Sequence, residues 1–361
     1  MAVNVVQVAH ITRIPGPVQF LARFLNEKKG FNCWQIYHPL DESISNSTLT
    51  SQGKIIAQKR INVSGLLKYF VTFSLSLKWL GKSPQQLDWA IGMNCLDTFS
   101  LLVAKKFRKI SQVVFFNTDF SRRRFKNPLL NSIYVALDRW VAKRADLLCC
   151  NTKRTIQARI KEGISENKII LTPNGVFLSD IGFVKKNKSF LPQLVYVGSL
   201  NKDHGLQNIF SSLGKTKLKL FIIGSGPDEK HFKMLVRKYQ LEKQISFLGF
   251  MDHDRVVKYL KNFSGFGLAP YPSDTNWAYY ADPVKIKEYL ACLVPPVISS
   301  VVEISQEIKQ KRLGLVYQKN PSKTFKEIAS MNNKDYQQII ANIISKRTQL
   351  DYNYIYQKIF D

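Results

Sequence analysis

The sequence predicts an α/β protein of two doubly wound, parallel-sheet, Rossmann-like domains, residues 1–175 and 193–335. Short apolar runs rich in Val, Ile, Leu and Phe alternate with helical stretches along both halves. Strand exits carry turn residues, as in Pro173-Asn174-Gly175 and Gly224-Ser225-Gly226-Pro227. Between the halves, residues 176–192 are polar and Lys-rich and read as a linker. Ligands of such sheets bind at the carboxyl ends of the strands, so a central cleft faced by both domains is the expected site.

In the first half, residues 3–11 read as a buried strand, followed by a loop at 12–17 and an amphipathic helix over 18–29. Further strands are expected at 31–37, 88–92, 112–117, 147–151 and 169–172, with helices near 97–107 and 133–143. After the linker come strands at 194–197, 218–223, 245–248 and 265–270. Helices are expected near 205–213, up to 239, and over 255–262. Residues 336–361 read as a helical, then aromatic tail packing across the domains.

The 361 residues suffice for two cores, and 45% apolar content excludes wholesale disorder. The 53 Lys and Arg outnumber 26 Asp and Glu, a net charge of +27. Such an excess attracts nucleic acid, anionic membrane or phosphorylated small molecules, although a lysine-rich genome would also contribute. Cys33, Cys95, Cys149, Cys150 and Cys292 lack metal-ligand spacing and sit in apolar runs, as free thiols in a reducing compartment would. The first residues read as a strand rather than a signal peptide, so a cytoplasmic location is expected. Residues 66–80 are too short and too polar to span a bilayer. They suit either a core helix or a helix lying on the inner membrane surface, its lysines on lipid phosphates.

Residues 282–300 carry the most chemistry. Asp282 reads as an N-cap before Pro283, and Ile286, Tyr289, Leu290 and Leu293 recur at core-facing spacing. Lys285 and Glu288, three residues apart, share a face near the helix start. A cation among free helix N–H groups favours phosphate, and a carboxylate one turn on accepts sugar hydroxyls; a surface ion pair is the simpler alternative. Two more loops follow strands: Gly198 and Ser199 with Lys202 and His204, and the loop of Gly224 and Gly226. Small residues there let backbone N–H groups approach an anion.

LVYVGSLNKDHGLQNIF, LKLFIIGSGPDEKHFKMLVRKYQLEKQISFLGF and DPVKIKEYLACLVPPVIS, in this order and spacing, resemble the nucleotide-sugar domain of group 1 glycosyltransferases with the GT-B fold. VVFFNTDFSRRRF, ADLLCCNTKRTI and TPNGV extend the resemblance more weakly over the first domain. The resemblance implies that Glu288 binds the donor ribose, that Gly198 and the Gly224–Gly226 turn shape the nucleotide site, and that Phe247, Leu248 and Gly249 lie near the base. It implies no essential metal and no cofactor beyond a nucleotide diphosphate-sugar co-substrate. Where the family has Arg and Lys on the diphosphate, this chain has Ser199 and His204, leaving Lys202 and Lys285 to supply charge. Tyr280 stands where an acidic residue is usual, and Leu293 replaces a helix-ending Gly, so that turn is expected to close differently.

In the first domain, Asp119 at a strand end is the candidate catalytic base of an inverting enzyme, a sugar-positioning group in a retaining one, or a simple cap. Arg122 heads an arginine run suited to a lipid pyrophosphate or to a solvated face. Arg13 and Gly16 resemble the family's acceptor-side loop, and Asn94 is a further acceptor-side candidate. The expected function is sugar transfer from a nucleotide diphosphate-sugar to an acceptor hydroxyl of a glycolipid, lipid-linked saccharide or polysaccharide precursor. The alternatives are a catalytically altered nucleotide- or glycan-binding protein and, last, a nucleic-acid binder.

Overall fold

A computed structural model describes residues 2–13, 15–118, 120–185, 189–272 and 276–361. It divides into two units, Met1–Pro173 with Tyr356–Asp361, and Asn174–Ile355. Both are α/β with the parallel sheets the sequence predicts, the first extended at one edge by antiparallel strands.

The first unit's strands are β1 Val3–Ile11, β2 Phe31–Pro39, β3 Asn46–Ser51, β4 Lys54–Arg60, β5 Gln86–Gly92, β6 Lys109–Asn117, β7 Leu147–Cys150 and β8 Ile169–Leu171. They lie in the order β4-β3-β2-β1-β5-β6-β7-β8. Its helices are α1 Pro17–Glu27, α2 Gly65–Leu80, α3 Cys95–Ala104, α4 Pro128–Arg144 and α5 Lys153–Lys161. Val5, Val6, Val8 and Ala9 of β1 are wholly buried, as a central parallel strand covered on both faces requires.

Sequence reading misses the antiparallel β3–β4 hairpin. Its two-residue loop is Gln52-Gly53, both at positive φ, which matches the twist of the flanking strands. Strand β4 forms an exposed edge, where Lys54, Lys59 and Arg60 discourage further pairing.

Helix α2 divides along its length. Thr72, Leu75, Ser76, Trp79 and Leu80 are buried, while Leu66, Leu67 and Phe70 near its start are 69%, 57% and 68% exposed. No helix among the described residues is long and apolar enough to cross a membrane.

The second unit contains α6 Leu178–Ile181, β9 Gln193–Val197, α7 Phe210–Leu213, β10 Lys219–Ile223, α8 Glu229–Lys238, β11 Ile245–Gly249, α9 His253–Asn262 and β12 Phe266–Ala269. There follow α10 Asn276–Tyr280, α11 Val284–Ala291, β13 Pro296–Ser299, α12 Ile304–Gln310, β14 Leu315–Tyr317, α13 Ser322–Ala329, α14 Asn333–Lys346 and α15 Tyr352–Phe360, whose residues from Tyr356 on belong to the first unit. Its sheet runs β11-β10-β9-β12-β13-β14 and is parallel throughout. Part of the segment read as a linker packs here, since Val176, Phe177, Ile181 and Val184 are buried. In the tail, the Tyr336 hydroxyl both receives the Gly265 N–H and donates to the Gly265 carbonyl, each at 3.1 Å. Phe360, in the first unit, lies against Phe24, Phe31 and Trp89. The five cysteines are buried and form no disulfide.

Two expectations for residues 282–300 need correction. Asp282 does not cap α11, whose N-cap is Pro283; its carboxylate turns inward instead. The turn after α11 also closes in the ordinary way despite lacking glycine. Leu293 itself adopts φ 56°, and the Val294 N–H reaches the Tyr289 carbonyl at 2.8 Å. Left-handed backbone costs a β-carbon-bearing residue roughly 1–2 kcal/mol, offset here by complete packing of the Leu293 side chain.

Candidate functional site

The loops leaving β9 and β10 are knitted by backbone. The Gly198 N–H reaches the Ile223 carbonyl at 3.0 Å, the Leu200 N–H reaches Ser225 at 3.0 Å, and the Gly224 N–H reaches Gly249 at 2.8 Å. Glycine is required at these crossings. Gly224 has φ 138°, and a Cβ there would stand 2.0 Å from the Gly198 oxygen; at Gly226 it would stand 2.5 Å from the Leu200 oxygen. Gly224 and Gly226 therefore let two strand-end loops come into direct contact at the carboxyl edge of the sheet.

Helix α11 delivers two lysines to different fates. Lys287 is buried and meets the buried Asp282 carboxylate at 3.2 Å. That carboxylate also accepts the Asn174 N–H at 2.6 Å, and the Asn174 amide donates to the Asp282 carbonyl at 2.6 Å. Burial nevertheless pushes the Asp282 pKa up. Lys285 has no such partner. Among the described residues its ammonium makes no hydrogen bond or ion pair and lies over the rings of Tyr196 at 4.6 Å and Tyr271 at 5.8 Å. Burial lowers its pKa to about 8. A Cβ at Gly198 would come within 2.7 Å of the Lys285 Nζ, so the bare glycine gives this cation its opening to the loop.

His204 completes that corner. Its Nδ1 donates to the Ser199 carbonyl at 3.2 Å, which leaves Nε2 as the unprotonated nitrogen of a neutral ring. Burial and the Lys285 charge both lower its pKa. The Trp277 ring lies 6.0 Å from His204 and 5.9 Å from Tyr271. One turn beyond Lys285, the Glu288 carboxylate does not pair with it. Oε1 of Glu288 instead accepts from Nε2 of His253, 2.9 Å away at the start of α9. A partly buried cation, converging loop backbone and an oriented carboxylate make a corner suited to a phosphorylated, hydroxyl-bearing ligand.

Gly198, Ser199, His204, Gly224, Gly226, Lys285 and Glu288 thus fall around one corner of the second unit. Lys202 stands apart in its bonding, held by Asp228 through both backbone N–H and ammonium, at 2.9 and 3.5 Å. In the first unit, Arg13 is exposed, with its N–H on Ser43. Gly16 is the N-cap of α1, its N–H bound to the Gln19 side chain. Asn94 caps α3 by accepting the Asp97 N–H at 2.9 Å. Arg122 is exposed and 3.5 Å from Glu162. Asp119 lies outside the described residues.

Other groups escape sequence reasoning altogether. His253, Lys287 and the tyrosines beneath Lys285 carry no motif; only folding places them. In the first unit, Arg159 is fully buried, donating to Asn117 at 2.8 Å, to Glu162 at 3.0 Å and to both oxygens of Asp138. At the carboxyl edge of that sheet, His10 bonds Asp97 through Nδ1 at 2.7 Å and Thr72 through Nε2 at 3.1 Å.

Residues 182–346 match the family described as glycosyl transferases group 1, so the resemblance read from the sequence is borne out there. An uncharacterized 41.2 kDa protein of the cps region of Klebsiella pneumoniae is 23% identical over 233 residues, 60% of this chain and 62% of that protein. This match therefore spans less than two thirds of that relative. Among solved structures, sucrose-phosphate synthase of Thermosynechococcus elongatus superposes with a TM-score of 0.73 at 13% identity, covering 99% of each chain. The lipopolysaccharide outer core galactosyltransferase WaaB gives 0.72 at 16% identity, again over 99% of each. Anabaena HepE in complex with UDP gives 0.71 at 13% identity, over 99% of this chain and 98% of that one. At these identities the likeness establishes the fold, the expected GT-B fold.

Proposed function

We propose that this chain, whose second unit carries a group 1 glycosyltransferase domain, moves a sugar from a nucleotide diphosphate-sugar to an acceptor hydroxyl. The observation that carries the reading is Lys285, a partly buried ammonium with no carboxylate partner among the described residues, opening onto Gly198. A buried unpaired cation is expensive, and a diphosphate would complete it. Glu288 would accept the ribose hydroxyls, as the resemblance implies. In the transfer, the bond between the sugar's anomeric carbon and the phosphate oxygen breaks, and the diphosphate leaves with the electron pair. The acceptor oxygen bonds the anomeric carbon and loses its proton to a base, for which Asp119 is the sequence candidate. Lys285 and the loop N–H groups would take the role of neutralising the leaving group. UDP-glucose bound to HepE, the galactosyltransferase function of WaaB and the cps-region relative support a nucleotide-sugar donor and a glycan or lipid-linked acceptor.

The acceptor would be met at the cytoplasmic membrane surface. The exposed Leu66, Leu67 and Phe70 of α2 and Leu129 and Ile133 of α4 belong to the two helices that pack on α3, where Phe73 stacks on Phe99 and Phe99 meets Trp140 edge-on. Arg122, Arg123 and Lys126 stand exposed in the segment that leads into α4. Apolar groups rimmed by cations suit an anionic bilayer.

A thermal-shift screen over nucleoside diphosphates and their sugars tests the donor site, because a ligand of the folded state raises its melting temperature. Stabilisation that is lost in both Lys285→Ala and Glu288→Ala is expected, followed by sugar transfer. Saturable nucleotide binding without transfer or donor hydrolysis would favour the catalytically altered binding protein. No stabilisation by any of them would refute the donor reading.

A further inference from the structure

Lys285 and Glu288 stand three residues apart on one helix, the spacing at which opposite charges ordinarily pair. They remain apart here. Glu288 is drawn to His253, 35 residues away in sequence, and Lys285 rests on tyrosine rings. Among the described residues the Glu288 carboxylate has no other hydrogen-bond partner, so its second oxygen stays available while its first is fixed. The Glu288 side chain is 16% exposed and that of His253 60%, so the contact is made at the mouth of the corner. His253 also lines a cavity of about 430 Å³ with Asp180, Asp254, Val257 and Lys258.

We propose that His253 is a positioning residue for donor binding. By holding one carboxylate oxygen it keeps Glu288 from collapsing onto Lys285, so that the carboxylate meets the ribose while the ammonium meets the diphosphate. The inference rests on the donor reading above. Its physical basis is that a flexible carboxylate recognises a hydroxyl pair well only when a neighbouring donor fixes its rotamer. Lys287 is already held by Asp282, so without His253 the cation left for Glu288 on its own helix is Lys285, and their pairing would occupy both ligand-binding charges at once.

Calorimetric titration of the whole chain with UDP, ADP, GDP and CDP, each beside its 2′-deoxy counterpart, tests this. For the nucleotide that binds, wild type should prefer the ribose form by about tenfold, as befits a hydrogen bond to a charged acceptor. His253→Ala should reduce that preference to within about twofold, and His253→Gln, which keeps an N–H donor, should restore most of it. A merely structural histidine would leave the ratio unchanged. An unchanged ratio in His253→Ala, equal loss in both variants, or no ribose preference in wild type overturns the inference while leaving donor binding intact. Absence of binding by any nucleotide to wild type removes the donor reading and the inference with it.

Discussion

The ammonium of Lys287 meets the carboxylate of Asp282 at 3.2 Å with both side chains buried, and this pairing decides what the neighbouring lysine can do. Asp282 also accepts the Asn174 N–H. Its capacity is spent on the framework, and among the described residues Lys285 has no ion-pair partner.

Removing that partner should be felt at once. Asp282→Ala strands a buried ammonium and a backbone N–H, which costs about 3–5 kcal/mol. Chemical denaturation should show a lower midpoint with an unchanged slope.

Lys285→Met should exchange function for stability. Folding depresses the Lys285 pKa from 10.5 to about 8, so the folded state disfavours the charged form. The penalty is full below the folded value and fades as pH rises toward the unfolded one. Near neutral pH the variant should gain on the order of 1–2 kcal/mol, reduced by loss of the contacts with Tyr196 and Tyr271. The gain should shrink above about pH 9, and nucleoside diphosphates should no longer shift its melting temperature. A variant less stable than wild type at neutral pH would contradict the assignment of Lys285 as a strained cation.

His253 has the opposite sign. Its hydrogen bond to Glu288, then the charges of Glu288, Asp254 and Asp180, raise its pKa above 6.5. Its contribution to stability is therefore complete below the unfolded value and disappears as pH rises through the folded one. The melting-temperature difference between wild type and His253→Ala should be larger near about pH 6 than near about pH 9, measured without ligand.

In the first unit, Arg159→Met should cost about 3–5 kcal/mol, because Asp138 and Glu162 lose a buried partner and Asn117 loses its donor. Arg159→Lys should recover only part of this, since an ammonium cannot reproduce the forked contacts. Unfolding midpoints of the two variants provide the check.

The two parallel sheets and the strand-end loops were legible because buried strands and glycine turns leave local patterns. The β3–β4 hairpin was not, since residues 46–60 are mostly polar and lie on an edge, where alternation is weakly enforced. At the site, Gly198, Gly224, Lys285 and Glu288 could be named from their spacing and from resemblance. Asp282 was misread as a cap because an Asp before Pro at a helix start satisfies the local rule, while its true partners, Asn174 and Lys287, are joined to it only by folding.

The sequence by itself thus determined the α/β class, the succession of strands and the glycine positions at which two loops could touch, because each depends on residues adjacent in the chain. Only tertiary structure decided which charges are paired. Lys287 found Asp282, Glu288 found His253, and Lys285 was left over tyrosine rings. Electrostatic pairing depends on distance and burial in three dimensions, and neither is written in spacing along a helix.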